Sequence, residues 1–176
     1  MDDKEKIISD IQEISKRFRN IVVSGEEGVG KITNTLKALQ HASNVYYVGN
    51  PVDYIGKPRP KGYDKYINYI MSLKSDMRII ANEDDILSLD FSLLEGSDAT
   101  LVIDEIYGRS DAQLVKIQEI LDSNLRNVFL ITGCLKNIGR IVHGINAVLM
   151  LTPDGVLLFD KEFAVKVCTI LRPEAV

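Results

Sequence analysis

Two rhythms of apolar and polar residues alternate along this chain. Residues 3–18 carry Ile7, Ile11, Ile14 and Phe18 three or four positions apart with charges between, which predicts an amphipathic helix. Short apolar runs then recur at Asn20–Ser24 (NIVVS), Val45–Val48 (VYYV), Arg78–Ala81 (RIIA), Thr100–Asp104 (TLVID) and Val128–Thr132 (VFLIT). TLVID and VFLIT are continuously apolar until their last residues, the pattern of strands covered on both faces. Helical spacing returns between the runs. Lys31–Gln40 has Ile32, Leu36 and Leu39, and Tyr63–Leu73 has Tyr63, Tyr66, Ile70 and Leu73. Ser110 with Gln113 has the spacing of a capping box and predicts a helix to about residue 122. A short helix is expected around 136–143 and a last one around 161–171. Ala147–Leu151 and Val156–Phe159 flank Thr152-Pro153-Asp154-Gly155, a turn sequence suited to a β-hairpin. Residues 49–62 contain Pro51, Pro58 and Pro60 and read as a loop; residues 83–97 show no dominant period. Strands alternating with helices predict an α/β fold with a mainly parallel sheet and a C-terminal hairpin. In such sheets ligands bind beyond the carboxyl ends of the strands.

At 176 residues the chain is expected to form a single domain, with an N-terminal helix over 1–19, a core over 20–151, and a hairpin strand and terminal helix over 152–176. Hydrophobic residues make up 45% and charged residues 26%, enough apolar material for a core. The formal net charge of −4 excludes a protein that coats nucleic acid wholesale, so any such contact must come from a local patch. Cys134 and Cys168 have no metal-ligand spacing, and His41 and His143 do not join them; both cysteines read as reduced core residues of a cytoplasmic protein. The opening MDDKEKII lacks a signal-peptide apolar stretch, and no apolar run reaches membrane-spanning length.

The most specific segment is Gly25-Glu26-Glu27-Gly28-Val29-Gly30-Lys31-Ile32-Thr33. It fills G-x-x-x-x-G-K, follows an apolar strand and opens a helix. Glycines let the backbone bend around an anion, inward N–H groups meet the helix N-terminus, and Lys31 adds a cation near the β- and γ-phosphates. A ligand-free strand–helix turn needs no such register of strand, loop, lysine and helix. One position departs from the motif. A hydroxyl residue after the lysine would hold Mg²⁺, and here Ile32 stands there with Thr33 one residue later. A one-residue step turns a helical side chain by about 100°, so Thr33 is not expected to replace the ligand directly. Nucleotide binding tolerates that change better than fast hydrolysis does.

The run Leu101-Val102-Ile103-Asp104-Glu105 ends a buried strand in two acids. Asp104 is suited to hold Mg²⁺, and Glu105 to orient and deprotonate an attacking water. GEEGVGK and LVIDE together resemble the P-loop NTPases, within the branch that has an added catalytic glutamate and includes AAA+, RecA-like and DNA-pumping ATPases. The resemblance spans about residues 20–151 and implies a three-layer P-loop NTPase sandwich binding ATP with Mg²⁺. It implies that Thr132, at the end of the next strand, senses the γ-phosphate. It also implies that an arginine acts on a neighbouring subunit's site in a homo-oligomer, with Arg140 the first candidate and Arg109 the second. For either arginine taken alone, an ordinary surface residue is the favoured reading. Adenine rather than guanine follows from the resemblance and from the lack of an Asn-Lys-x-Asp run. About 25 residues follow Leu151, too few for an AAA+ helical lid, so a minimal core is expected.

Residues 54–69 offer a second surface. Asp53-Tyr54-Ile55-Gly56 resembles the polypeptide-gripping pore loop of AAA+ unfoldases. Lys57, Arg59, Lys61 and Lys65 interleave with Tyr54, Tyr63, Tyr66 and Tyr69, a composition that suits single-stranded nucleic acid or an adenine ring. The favoured reading is an exposed loop followed by an amphipathic helix whose tyrosines pack on the sheet. Three functions compete: an ATPase, a nucleotide-gated module that binds ATP or ADP and controls a protein or nucleic-acid partner, and a small-molecule phosphotransferase. The adjacent Asp104-Glu105 pair, suited to activating water, counts against the third.

Overall fold

The computed structural model describes residues 3–49, 63–80, 85–90, 94, 98–106, 109–133, 143–160 and 162. In order these form α1 (Asp3–Arg17), β1 (Asn20–Gly25), α2 (Lys31–Ala38), β2 (Val45–Val48), α3 (Tyr63–Leu73), β3 (Arg78–Ile80), α4 (Asp85–Ser88), β4 (Thr100–Asp104), α5 (Asp111–Asp122), β5 (Asn127–Thr132), β6 (Ala147–Thr152) and β7 (Gly155–Asp160). The elements match the apolar rhythms, with ends shifted by a residue or two. α2 stops at Ala38 rather than Gln40, and the ambiguous 83–97 region contains the single turn α4. The capping box at Ser110 and Gln113 is present. The expected helices around 136–143 and 161–171 lie outside the described residues apart from residues 143 and 162, as do Cys134 and Cys168.

Seven strands form one open sheet in the order β3-β2-β4-β5-β1-β6-β7. All neighbouring pairs are parallel except β6 with β7, the hairpin at one edge. Alternate residues of each strand feed opposite faces. Ile21, Val23, Val102, Phe129 and Ile131 meet Ile7 and Ile11 of α1, Leu36 of α2 and Ile70 of α3. Val22, Leu101, Ile103, Val128 and Leu130 meet Ile86 of α4 and Leu114, Ile117 and Leu121 of α5. The result is the expected three-layer α/β sandwich. Among the described residues no helix is long and apolar enough to cross a membrane.

Two asparagines fasten the amino ends of the central strands. Asn20 Nδ2 donates to the carbonyls of Leu121 and Gly144, both at 2.7 Å. Asn127 Nδ2 donates to those of Ser15 and Phe18 at 2.9 and 3.0 Å, closing the end of α1. Register then sets the opposite edge. Ser24 pairs with Thr132 and Asp104 with Ile131, so the carboxyl ends of β1, β5 and β4 finish level.

Candidate functional site

The glycine loop leaves β1 at that edge. Gly25 has φ 147°, and a Cβ there would stand 2.5 Å from the carbonyl oxygen of Leu151 on β6. Backbone occupies the space a side chain would need. We expect Gly25→Ala to lower the unfolding free energy by at least about 2 kcal/mol, from strain and clash together, measured by urea denaturation. Gly30 takes the left-handed conformation, φ 79° and ψ 31°, and caps α2 with no side-chain acceptor. Nothing from Gly30 therefore competes with an anion for the first amides of the helix.

Lys31 folds back over the loop. Its Nζ donates to the carbonyls of Gly25 at 2.8 Å and Glu26 at 2.9 Å. An ammonium has three donors, so these two bonds leave a third for a ligand. Its pKa is lowered, first by burial; the charges of Glu105, Asp104 and Glu27 oppose that shift and do not cancel it. The cation is thus under-compensated, a deficit that a bound phosphate would fill. Glu26 and Glu27 are exposed, which screens their repulsion of an anion.

Both acids are buried at the end of β4. Asp104 Oδ2 accepts from the phenols of Tyr47 at 2.7 Å and Tyr66 at 2.9 Å. Burial first, and then the Asp104 charge, push the Tyr47 pKa well above its usual value, so its proton stays on the phenol. Glu105 has φ 40°, a left-handed conformation that costs a non-glycine residue about 1–3 kcal/mol and clusters at functional sites. Its Oε1 accepts from Thr132 Oγ1 and its Oε2 from the Gly133 amide, both at 2.9 Å. Arg109 braces this turn. Its Nε donates to the Glu105 carbonyl at 3.0 Å, and its Nη2 to those of Asp104 at 2.8 Å and Gly49 at 3.1 Å.

Loop and acids meet in one cleft of about 330 Å³, at the small end of the range for small-molecule sites. Its lining comes from the loop (Gly28, Gly30, Lys31), the end of β4 (Asp104, Glu105) and α3 (Tyr66, Tyr69). Ile32 and Thr33 line it too; Ile32 also packs into the core, and Thr33 Oγ1 lies 2.9 Å from Tyr69 OH. Among the described residues no three His, Cys, Asp or Glu side chains gather around a metal position. The donors present are hard oxygens, few in number. They fit Mg²⁺, which takes one or two carboxylates and completes its shell with phosphates and water.

Two of the residues singled out in the sequence lie buried at this edge. Thr132 is fully buried, and its hydroxyl is directed to Glu105. Arg109 is no surface arginine: it is 6% exposed and its guanidinium is engaged by backbone carbonyls of its own chain. Arg140 and the basic stretch up to residue 62 lie outside the described residues. Sequence reasoning missed Tyr47 altogether and considered Tyr66 and Tyr69 only as stacking or packing residues. The available signal was a tyrosine inside the buried run VYYV, since a buried phenol needs a hydrogen-bond partner.

No protein-family model matches the chain, and no curated protein matches it in sequence. Solved structures of similar fold include the assembled ATPase EscN, in complex with its central stalk EscO, from the enteropathogenic E. coli type III secretion system. It aligns with a TM-score of 0.57 at 10% identity over 90% of this chain and 54% of its own. A prototypical ATPase from the type III secretion system of pathogenic bacteria aligns with 0.57 at 9% identity, over 90% and 64%. The VirB11 ATPase of the Brucella suis type IV secretion system, in complex with sulphate, aligns with 0.51 at 11% identity, over 93% and 54%. This chain spans 54% to 64% of the length of those chains. What it shares with them is the fold, an open and mainly parallel sheet between helical layers.

Proposed function

We propose that this chain binds ATP with Mg²⁺ in the cleft between the glycine loop and the end of β4, and hydrolyses it as an ATPase of the added-glutamate branch. The supporting observation is that Lys31, Asp104 and Glu105 line one cleft although more than seventy positions separate lysine from acids. The loop amides and Lys31 hold the β- and γ-phosphates. Asp104 holds Mg²⁺, which when bound neutralises charge on those phosphates. Glu105 orients the attacking water and accepts its proton, while Thr132 and the Gly133 amide aim the carboxylate. Thr132 in this reading serves the γ-phosphate through Glu105. We extend to this chain the assembled state named for EscN: in a homo-oligomer in the cytoplasm, Arg140 of one copy would serve the site of the next.

A second reading has one observation in its favour. Ile32 removes a metal-binding hydroxyl, and Thr33 is bonded to Tyr69 instead. The chain would then be a nucleotide-gated module whose bound state controls a protein or nucleic-acid partner through residues 54–69. Calorimetric titration with ATP and ADP, paired with phosphate release, separates the two. We expect micromolar to millimolar affinity and measurable turnover in the unaltered chain. Binding without turnover, with turnover appearing in Ile32→Thr, is the gated outcome. No affinity for either nucleotide at millimolar concentration rejects both.

A further inference from the structure

If the cleft is a Mg²⁺–nucleotide site, Ile32 leaves it short of a hydroxyl, and α3 brings two to its lining, Tyr66 and Tyr69. Tyr66 and Tyr69 are three positions apart and so share a helix face. Tyr69 OH meets Thr33 Oγ1 at 2.9 Å, and Tyr66 OH meets Asp104 Oδ2 at 2.9 Å. The first contact holds Thr33 toward α3. The second puts a phenol against the carboxylate that would hold the cation. Tyr66 is only partly buried and lines the cleft. Tyr47 meets the same carboxylate oxygen at 2.7 Å but is fully buried.

We infer that the Tyr66 hydroxyl is a metal-site group that takes over the work of the hydroxyl missing at Ile32, and that Tyr47 is a positioning residue fixing Asp104 from within the core. The inference rests on the Mg²⁺–nucleotide reading above. A phenol has one proton to donate and oxygen lone pairs to accept with. Tyr66 donates its hydrogen bond to Asp104, and its lone pairs would accept from a water held by a bound ion. Mg²⁺ keeps several waters when protein-bound, so a group that holds one of them contributes to affinity without direct ligation. Groups that hold metal ligands in place contribute about 10- to 100-fold to metal affinity. The competing explanation is structural: Tyr66 does no more than satisfy a buried carboxylate.

The test is ADP affinity, measured by calorimetry in Mg²⁺ and again in EDTA, for the unaltered chain, Tyr66→Phe, Ile32→Thr and the double variant. The expected result is that Tyr66→Phe reduces the Mg²⁺-dependent gain in affinity about tenfold, leaves affinity in EDTA unchanged, and regains the loss when Ile32→Thr is added. A purely structural tyrosine moves both affinities together or neither, and either result overturns the inference. Should Tyr66→Phe unfold, Ile32→Thr alone decides. With Tyr66 already filling the role its Mg²⁺-dependent gain rises less than about threefold, and a rise of tenfold or more overturns the inference. No ADP affinity of the unaltered chain in either buffer removes the nucleotide reading itself, a result distinct from binding that ignores Tyr66.

Discussion

Lys31→Ala weakens nucleotide affinity by roughly tenfold to more than a hundredfold and leaves the melting temperature unchanged or higher. The two halves of this result have one cause. Burial lowers the Lys31 pKa against the pull of three carboxylates. A lowered folded-state pKa means that the unfolded chain binds this proton more tightly, so the charged lysine opposes folding below its folded pKa, and the penalty fades as pH rises toward the unfolded value. Removing it relieves the folded state. The two carbonyls it bonds, Gly25 and Glu26, belong to a half-exposed loop where water can replace the ammonium. A phosphate has no such substitute, since a charge-assisted hydrogen bond to it is worth about 1.5–3 kcal/mol, or roughly tenfold to more than a hundredfold in affinity. ADP titration and thermal unfolding of the same preparation check both halves. Affinity near that of the unaltered chain would show that the loop does not hold the phosphates. A large fall in melting temperature would show that Lys31 is a strut for the loop.

The parts of this site that were legible in sequence are those that local geometry determines. A both-face apolar strand such as TLVID ends where its first acid appears, and the glycine–lysine loop needs its residues at fixed spacing. The hairpin β6–β7 announces its turn through Pro153, Asp154 and Gly155. What stayed hidden depends on strand order. That β5 lies between β1 and β4 brings Thr132 to Glu105, and that β2 lies beside β4 brings Tyr47 to Asp104. No spacing along the chain encodes either contact. The single turn α4 is too short to display a helical period. Arg109 looks like any charged residue in sequence. It is buried because the left-handed turn at Glu105, together with Gly49, gathers carbonyls that need a cationic donor.

Glu105→Gln is expected to reduce ATP turnover by about 10²–10⁴-fold, the usual contribution of a positioned general base, with ATP affinity equal to or tighter than that of the unaltered chain. The substitution is conservative for a structural reason. Glu105 accepts one bond from a hydroxyl and one from a backbone amide. A glutamine can turn its oxygen to the Gly133 amide, which can only donate, and its NH₂ to Thr132 Oγ1, which can also accept. Both contacts survive with the threonine hydroxyl reversed, so shape and fold persist and only basicity is lost. Glu105→Ala is the contrast, because it removes the acceptor of the Thr132 hydroxyl bond and of the Gly133 amide bond and costs about 1–3 kcal/mol of stability. Affinity is retained or gained because one negative charge leaves the neighbourhood of the γ-phosphate. Phosphate release under saturating ATP, beside calorimetric ATP binding, reads both effects. Turnover equal to that of the unaltered chain would remove Glu105 from the chemistry. Parallel loss of turnover and affinity would make the carboxylate a determinant of binding, with the water activated by another group.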